Sequence, residues 1–198
     1  MFRFTQLGIC LLAMTSAASH GQEVITDPPD PYVHKAVDVA FPAAVGSYVR
    51  TRVIEYDESG LDASAEYAAP DFGTPIWMTI YVYPSDNQSC EQNFLGASAH
   101  LAQTDGMISS ENAQAIAPAS FAGVEQYSST YLVEPGALGV SHPQMETRLW
   151  IACPTDHEIY IKLRATYESE SAEAARSIPQ DLLDALDWEA LTAEPVDQ

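Results

Sequence analysis

Five stretches of strand length alternate apolar and polar residues: Tyr48–Tyr56, Ile76–Tyr83, Val124–Val133, Gln144–Ala152 and Glu158–Tyr167. A period of two sends successive side chains to opposite faces, so each run specifies a strand with one face to bury. Ile76–Tyr83 is the clearest, rich in β-branched and aromatic residues and stopped by Pro84. In the last run Ile159, Ile161, Leu163 and Ala165 share one side, and Tyr160, Lys162 and Arg164 share the other. Strands of this kind leave their backbone groups unpaired unless they join a sheet.

Shorter elements fill the intervals. The acidic segment around Gly60 is a turn that folds Ala63–Ala68 back on Tyr48–Tyr56 as a hairpin. A helix is expected from about Ser89 to Gln103, with Phe94, Leu95, Ala97, Ala99, Leu101 and Ala102 supplying its apolar stripe and Gly96 weakening it. The segment from Glu134 to Pro143 is a loop by its proline and glycine content. A closing helix is expected from about Ser169, interrupted at Pro179, with Ser177 and Gln180 forming a capping box for a second piece carrying Leu182, Leu183 and Leu186. This order favours an α+β domain, an antiparallel sheet with helices packed on it.

The ends of the chain carry a different signal. Arg3 followed by an apolar run from Leu7 to Met14 and small residues to Gly21 has the form of a secretory signal peptide, too short to span a bilayer. Cys10 lies inside that run with Ile9 before it, which is not the position of a lipid-modified cysteine. The expected organisation is a signal peptide at 1–21, an extended proline-rich leader at 22–35, one domain at 36–190 and an acidic tail at 191–198. Removal of the signal leaves Cys90 and Cys153 as an even pair in a chain that matures where oxidation persists, and a disulfide between them is the economical reading.

The order of elements resembles the PsbP-like superfamily of exported proteins. Paired strands at Tyr48–Tyr56 and Ala63–Ala68, the Ile76–Tyr83 strand leading into a helix, three further strands and a closing helix after Ile161-Lys162-Leu163-Arg164-Ala165-Thr166-Tyr167 carry the resemblance over about residues 36–188. It implies an α/β/α sandwich and an accessory or binding role, and it transfers no functional residue.

Composition narrows the partners. With 28 acidic and 8 basic residues the net charge is −20, and loss of Arg3 with the signal takes it to −21. Nucleic acid and anionic membrane surfaces demand basic protein surface and are excluded as expected partners. The carboxylates of Asp57-Glu58-Ser59-Gly60-Leu61-Asp62 lack the spacing of a calcium loop. Neither Cys90 nor Cys153 has a further ligand at zinc-binding spacing, so no metal or other cofactor is expected.

Scarce positive charge therefore stands out. Of the seven basic residues beyond the signal, Arg50, Arg52, Arg148, Lys162 and Arg164 all fall within expected strands. Alternation puts Arg50 and Arg52 on a side with Tyr48 and Tyr56, Lys162 and Arg164 with Tyr160, and Arg148 beside Trp150. If these strands are neighbours, Arg50, Arg52, Arg148, Tyr160, Lys162 and Arg164 form one basic and aromatic face that could hold an anionic small molecule or an acidic peptide. The alternative is that these cations pair with Glu55, Glu66 or Glu146 across strands. Trp77, Tyr81 and Tyr83 could line a ligand platform or serve as cross-strand packing.

Nothing in the sequence dictates a reaction. There is no Gly-x-Ser-x-Gly elbow and no Ser-x-x-Lys, and His34, His100, His142 and His157 are scattered. His142, Glu146, Asp156 and His157 are the one cluster that a hydrolase or metal-dependent enzyme could use. Asn87-Gln88-Ser89 is a formal glycosylation sequon. The expected function is that of an exported, periplasmic or secreted accessory or binding protein without catalytic activity, its partner another exported protein or an anionic small molecule. The alternative is an exported hydrolase or metal-dependent enzyme.

Overall fold

A computed structural model describes residues 22–35, 37, 39–69, 76–103, 107–109, 124–133, 144–154 and 159–171. Its strands are β1 (Glu23–Val24), β2 (Tyr32–Val33), β3 (Ala40–Phe41), β4 (Ala44–Val45), β5 (Tyr48–Glu55), β6 (Ala63–Ala68), β7 (Trp77–Pro84), β8 (Met107–Ser109), β9 (Val124–Val133), β10 (Met145–Pro154) and β11 (Ile159–Glu168). The α-helix α1 covers Cys90–Gln103. Nine strands form one antiparallel sheet in the order β1-β5-β6-β7-β11-β10-β9-β8, with β4 also on β5, while β2 and β3 form a separate ribbon.

Each face of the sheet has its own core. On one face Val53, Ala65, Tyr67, Met78, Ile80, Val82, Ile161, Leu163, Ala165 and Tyr167 pack with Tyr32, Val39 and Phe41 from the N-terminal segment. On the other, Cys90, Phe94 and Leu101 of α1 pack on Tyr131, Val133, Met145, Leu149 and Ile151. The stripe at 90, 94, 97 and 101 is the helical period that a single buried face requires.

The start of α1 is set locally. Ser89 Oγ accepts from the Gln92 amide at 3.2 Å, and Gln92 Oε1 accepts from the Ser89 amide at 3.0 Å, a reciprocal capping box. Asp86 and Asn87 just before it take positive φ angles of 50° and 60°, which reverses the chain out of β7. The Cys90–Cys153 disulfide, with Cα atoms 5.8 Å apart, then ties the first turn of α1 to β10.

The expected α/β/α sandwich with helices packed on the sheet is corrected by this arrangement. The fold is sheet-dominated, and its described residues contain one α-helix, lying on one face. Among the described residues the second face is covered by the N-terminal segment. β1 pairs with β5, and Tyr32, Val39 and Phe41 from the segment between β1 and β4 bury themselves on the first core. At Ser169, where the closing helix was expected to begin, the chain forms a short 3-10 turn over Ser169–Ser171, and the rest of that expected helix lies outside the described residues, as does the signal segment.

Residues 22–35 are held on the sheet. Arg50 donates to the main-chain carbonyls of Phe41, Pro28 and Pro29, the latter two at 3.2 and 2.7 Å. Tyr32 Oη donates to Glu55 Oε1 at 2.6 Å, and Lys35 Nζ lies 2.8 Å from Glu55 Oε2. His34 is fully buried, and burial lowers its pKa.

Candidate functional site

A β-bulge decides which cations share a face. The β5–β6 register pairs Arg50 with Tyr67 but Arg52 with Glu66, so one residue is skipped between the two arginines. A bulge of one residue reverses alternation beyond it. Tyr48 and Arg50 consequently point to the face of the first core, whereas Arg52, Ile54 and Tyr56 point to the helix face, and the expected pairing of Arg50 with Arg52 is lost. Arg148 pairs with Ala165 on the same side as the first core, where its guanidinium lies 4.3 Å from the Trp150 ring centre.

The helix face retains the remaining cations. Lys162 is opposite Tyr81, and Tyr160 is opposite Tyr83 in the β7–β11 pair, while Arg164 is opposite Leu149 in the β10–β11 pair. α1 sits over β9 and β10, and among the described residues no helix lies on the part of this face made by β5, β6, β7 and β11 beside it. The result is a cleft of about 490 Å³ with Tyr81, Tyr83, Tyr160 and Lys162 on the sheet, Asn93, Gly96, Ala97 and His100 along α1, and Tyr56, Asp62 and Gln88 at its edges. A second, narrower pocket of about 100 Å³ continues from it, adding Leu101, Leu149 and Arg164 to the shared Tyr81, Ala97, His100 and Lys162.

Among the described residues, charge in this cleft is poorly compensated. Lys162 Nζ rests 4.0 Å from the ring centre of Tyr81 and 5.1 Å from that of Tyr83. Neither Lys162 nor Arg164 forms an ion pair with another described residue. Burial pushes the Lys162 ammonium down to about 8, with Asp62 opposing the shift and Arg164 adding to it. Burial also lowers Arg164. Asp62 is raised, first by its own burial and then by Asp57, whose carboxylate caps the β5–β6 turn by accepting from Ser59 Oγ and the Leu61 and Asp62 amides. Tyr160 is raised to about 12 by burial and by the Asp62 charge.

Two polar features add direction to the site. Asn93 is buried, 6% exposed, and its Nδ2 has no hydrogen-bond partner among the described residues. Tyr56 Oη lies 3.1 Å from Ser64 Oγ and its ring stacks on Tyr81, which fixes the outer wall.

Of the residues singled out in the sequence, Tyr160, Lys162 and Arg164 meet in the cleft, together with Tyr81 and Tyr83 of the aromatic strand. Arg52 shares their face but is exposed and held bidentately by Glu66, with Nε at 3.0 Å and Nη2 at 2.6 Å. Arg50 and Arg148 lie on the other face, and Trp77 is 50% exposed at the far end of β7. Asp62, Gln88, Asn93 and Gly96 are not among the expected site residues, because they come from a turn and a helix flank with no periodic signal. Glu146 lies on the face away from the cleft, and His142, Asp156 and His157 fall outside the described residues. Among the described residues no group of three or more His, Cys, Asp or Glu side chains could hold a metal ion, and no helix is long and apolar enough to cross a membrane.

No family model matches the chain, and no curated protein matches it. The PsbP-like resemblance read from element order thus has no family match behind it. Among solved structures, LpqN of Mycobacterium tuberculosis, described as involved in cell envelope biogenesis, superposes with a TM-score of 0.50. The match covers 86% of this chain and 86% of that one at 8% identity. At that identity the likeness concerns the fold alone: this chain has a fold similar to that of LpqN.

Proposed function

We propose that this protein is exported and acts as a non-catalytic binding protein of the cell envelope or the space outside it, holding a small anionic molecule in the cleft between α1 and the sheet. The observation that carries the reading is the partial burial of Lys162 and Arg164 in one cleft of a chain with net charge −20, neither in an ion pair with a described residue. Taking a cation partly out of water without an anion is costly, and a ligand carboxylate or phosphate would supply the missing partner. The cleft volume falls in the range of small-molecule sites, roughly 300–1,000 Å³. The disulfide fits an oxidising compartment. The fold likeness to LpqN, an envelope biogenesis protein, agrees with an envelope location. Export by a cleaved signal at 1–21, followed by a single folded unit, belongs to the same proposal.

Thermal unfolding of the disulfide-bonded protein with a panel of small carboxylates and phosphates tests the binding. A ligand at one hundred times its dissociation constant stabilises the fold by about 2.7 kcal/mol. A shift that disappears in Lys162→Met and Arg164→Gln variants is expected, and the absence of any shift across the panel would reject the reading. N-terminal sequencing of the exported protein tests the cleavage, with a start near residue 22 expected.

A further inference from the structure

The cleft is polar in a graded way, and the gradient specifies its ligand. This step rests on the binding reading above. We infer that the cleft takes a ring-bearing organic acid head first, with its carboxylate or phosphate in the inner pocket against Arg164 and Lys162 and its ring on the floor made by Tyr81, Tyr83 and Tyr160.

The inner pocket has the dimensions of a head group. At about 100 Å³ it holds the equivalent of about three water molecules at a liquid share of about 30 Å³ each. Among the described residues its lining contains Arg164 and Lys162 between the apolar walls of Leu101, Leu149 and Ala97, and no carboxylate. Asp62, by contrast, lines only the outer part. An anion at the mouth is therefore repelled by Asp62 and drawn inward, where a guanidinium offers paired donors. Lys162 lines both parts, and at present its charge rests on tyrosine rings. Such contacts are weaker than a desolvated ion pair, so an incoming anion lifts the ammonium off Tyr81 and frees the ring face.

The outer part has the shape of a ring site. Tyr83 and Tyr160 meet edge to face at 69° with centres 3.6 Å apart, and Tyr56 stacks on Tyr81 at 6.4 Å, so the floor offers angled apolar ring surface with polar rims. The buried Asn93 Nδ2 on the helix wall is an unmet donor, and a hydroxyl or carbonyl oxygen on the ring body satisfies it. Aromatic rings and sugar rings both present such a face, and the experiment separates them.

Isothermal titration of the disulfide-bonded protein uses three kinds of probe. 4-Hydroxybenzoate and glucose 6-phosphate are ring-bearing acids, 4-hydroxybenzamide and glucose are their neutral counterparts, and acetate, octanoate and inorganic phosphate carry a head without a ring. At least one ring acid is expected to bind about tenfold or more tighter than both its neutral counterpart and the ringless heads, the fold-change one charge-assisted hydrogen bond supplies. The better ring acid identifies the ring class. Arg164→Gln, checked for native circular dichroism, is expected to abolish the preference for acid over neutral counterpart and to leave the neutral compound's affinity unchanged. Ringless acids binding as tightly as ring acids would overturn the ring assignment while the anion-binding reading stands. Neutral counterparts binding as tightly as acids would overturn the head-first orientation, and no binding by any probe would overturn both this inference and the reading beneath it.

Discussion

Lys162 and Tyr81 stand opposite each other across the β7–β11 pair, and the ammonium of one lies 4.0 Å from the ring centre of the other. The ring only partly offsets the loss of water, so the Lys162 pKa falls from 10.5 to about 8. The unfolded chain then binds more protons than the native one between these values, and ligand-free stability rises with pH from about 8 towards 10.5. Lys162→Met is expected to remove that rise and to stabilise the protein at pH 7 by up to about 3 kcal/mol, since a tenfold change in proton affinity corresponds to about 1.4 kcal/mol. Denaturant titrations of both proteins at pH 7, 8.5 and 9.5 check it; parallel pH curves would refute it.

Arg50 and Arg164 are expected to part company. Arg50→Ala leaves three main-chain carbonyls of the N-terminal segment without their donor and costs about 1–3 kcal/mol. It leaves ligand affinity untouched, because the bulge has turned Arg50 away from the cleft. Arg164→Gln does the reverse, with affinity lost and stability held. Urea denaturation and ligand titration on the two variants give four numbers that either sort this way or do not.

The disulfide holds one wall of the cleft. Cys90 and Cys153 are 63 residues apart, and opening so long a loop lowers stability by about 2–4 kcal/mol. Since α1 also supplies Asn93, Gly96, Ala97 and His100, the Cys90→Ala/Cys153→Ala protein should bind ligand more weakly even at temperatures where it stays folded. Calorimetric melting and titration at 10 °C separate the two effects.

Glu55 sets an acid limit. Burial raises its pKa, but hydrogen bonds from Lys35 and Tyr32 outweigh that and hold it below 4.5. With the folded pKa depressed, its contribution is present above 4.5 and is lost as pH falls through the folded value. Glu55→Gln is expected to flatten the acid end of the stability curve, measured by urea unfolding between pH 3 and 6. An unchanged slope would mean the Tyr32 and Lys35 contacts do not outlast solution conditions.

Gly96 offers space and costs helix propensity. A Cβ built there meets nothing within 4 Å, so Gly96→Ala should raise stability by about 0.5–1 kcal/mol through helix propensity. Gly96→Phe puts a ring into the cleft and should weaken ligand binding without unfolding the protein. Melting temperature and affinity are the readouts.

Much of the sheet was legible in the chain because alternation is a local signal. Ile76–Tyr83 and Glu158–Tyr167 match β7 and β11 within a residue or two, and the side assignment of Tyr160, Lys162 and Arg164 held because those residues alternate without interruption. The same reasoning failed for Arg50 and Arg52, since a bulge between them depends on how β5 pairs with β6 and leaves no mark in composition. The helix start was legible from Ser89 and Gln92.

By itself, then, the sequence determined the six longer strands, the described helix and the cysteine pair, all of which follow from short-range periodicity or counting. Tertiary structure decided the rest. Only strand order brings Tyr81 beside Lys162, only the placement of α1 over β9 and β10 makes it a wall of the cleft, and only folding sets Asn93 and Asp62 on its walls. The N-terminal segment lies on the far face because Tyr32, Val39 and Phe41 find their burial there, a long-range choice that no window of local sequence contains.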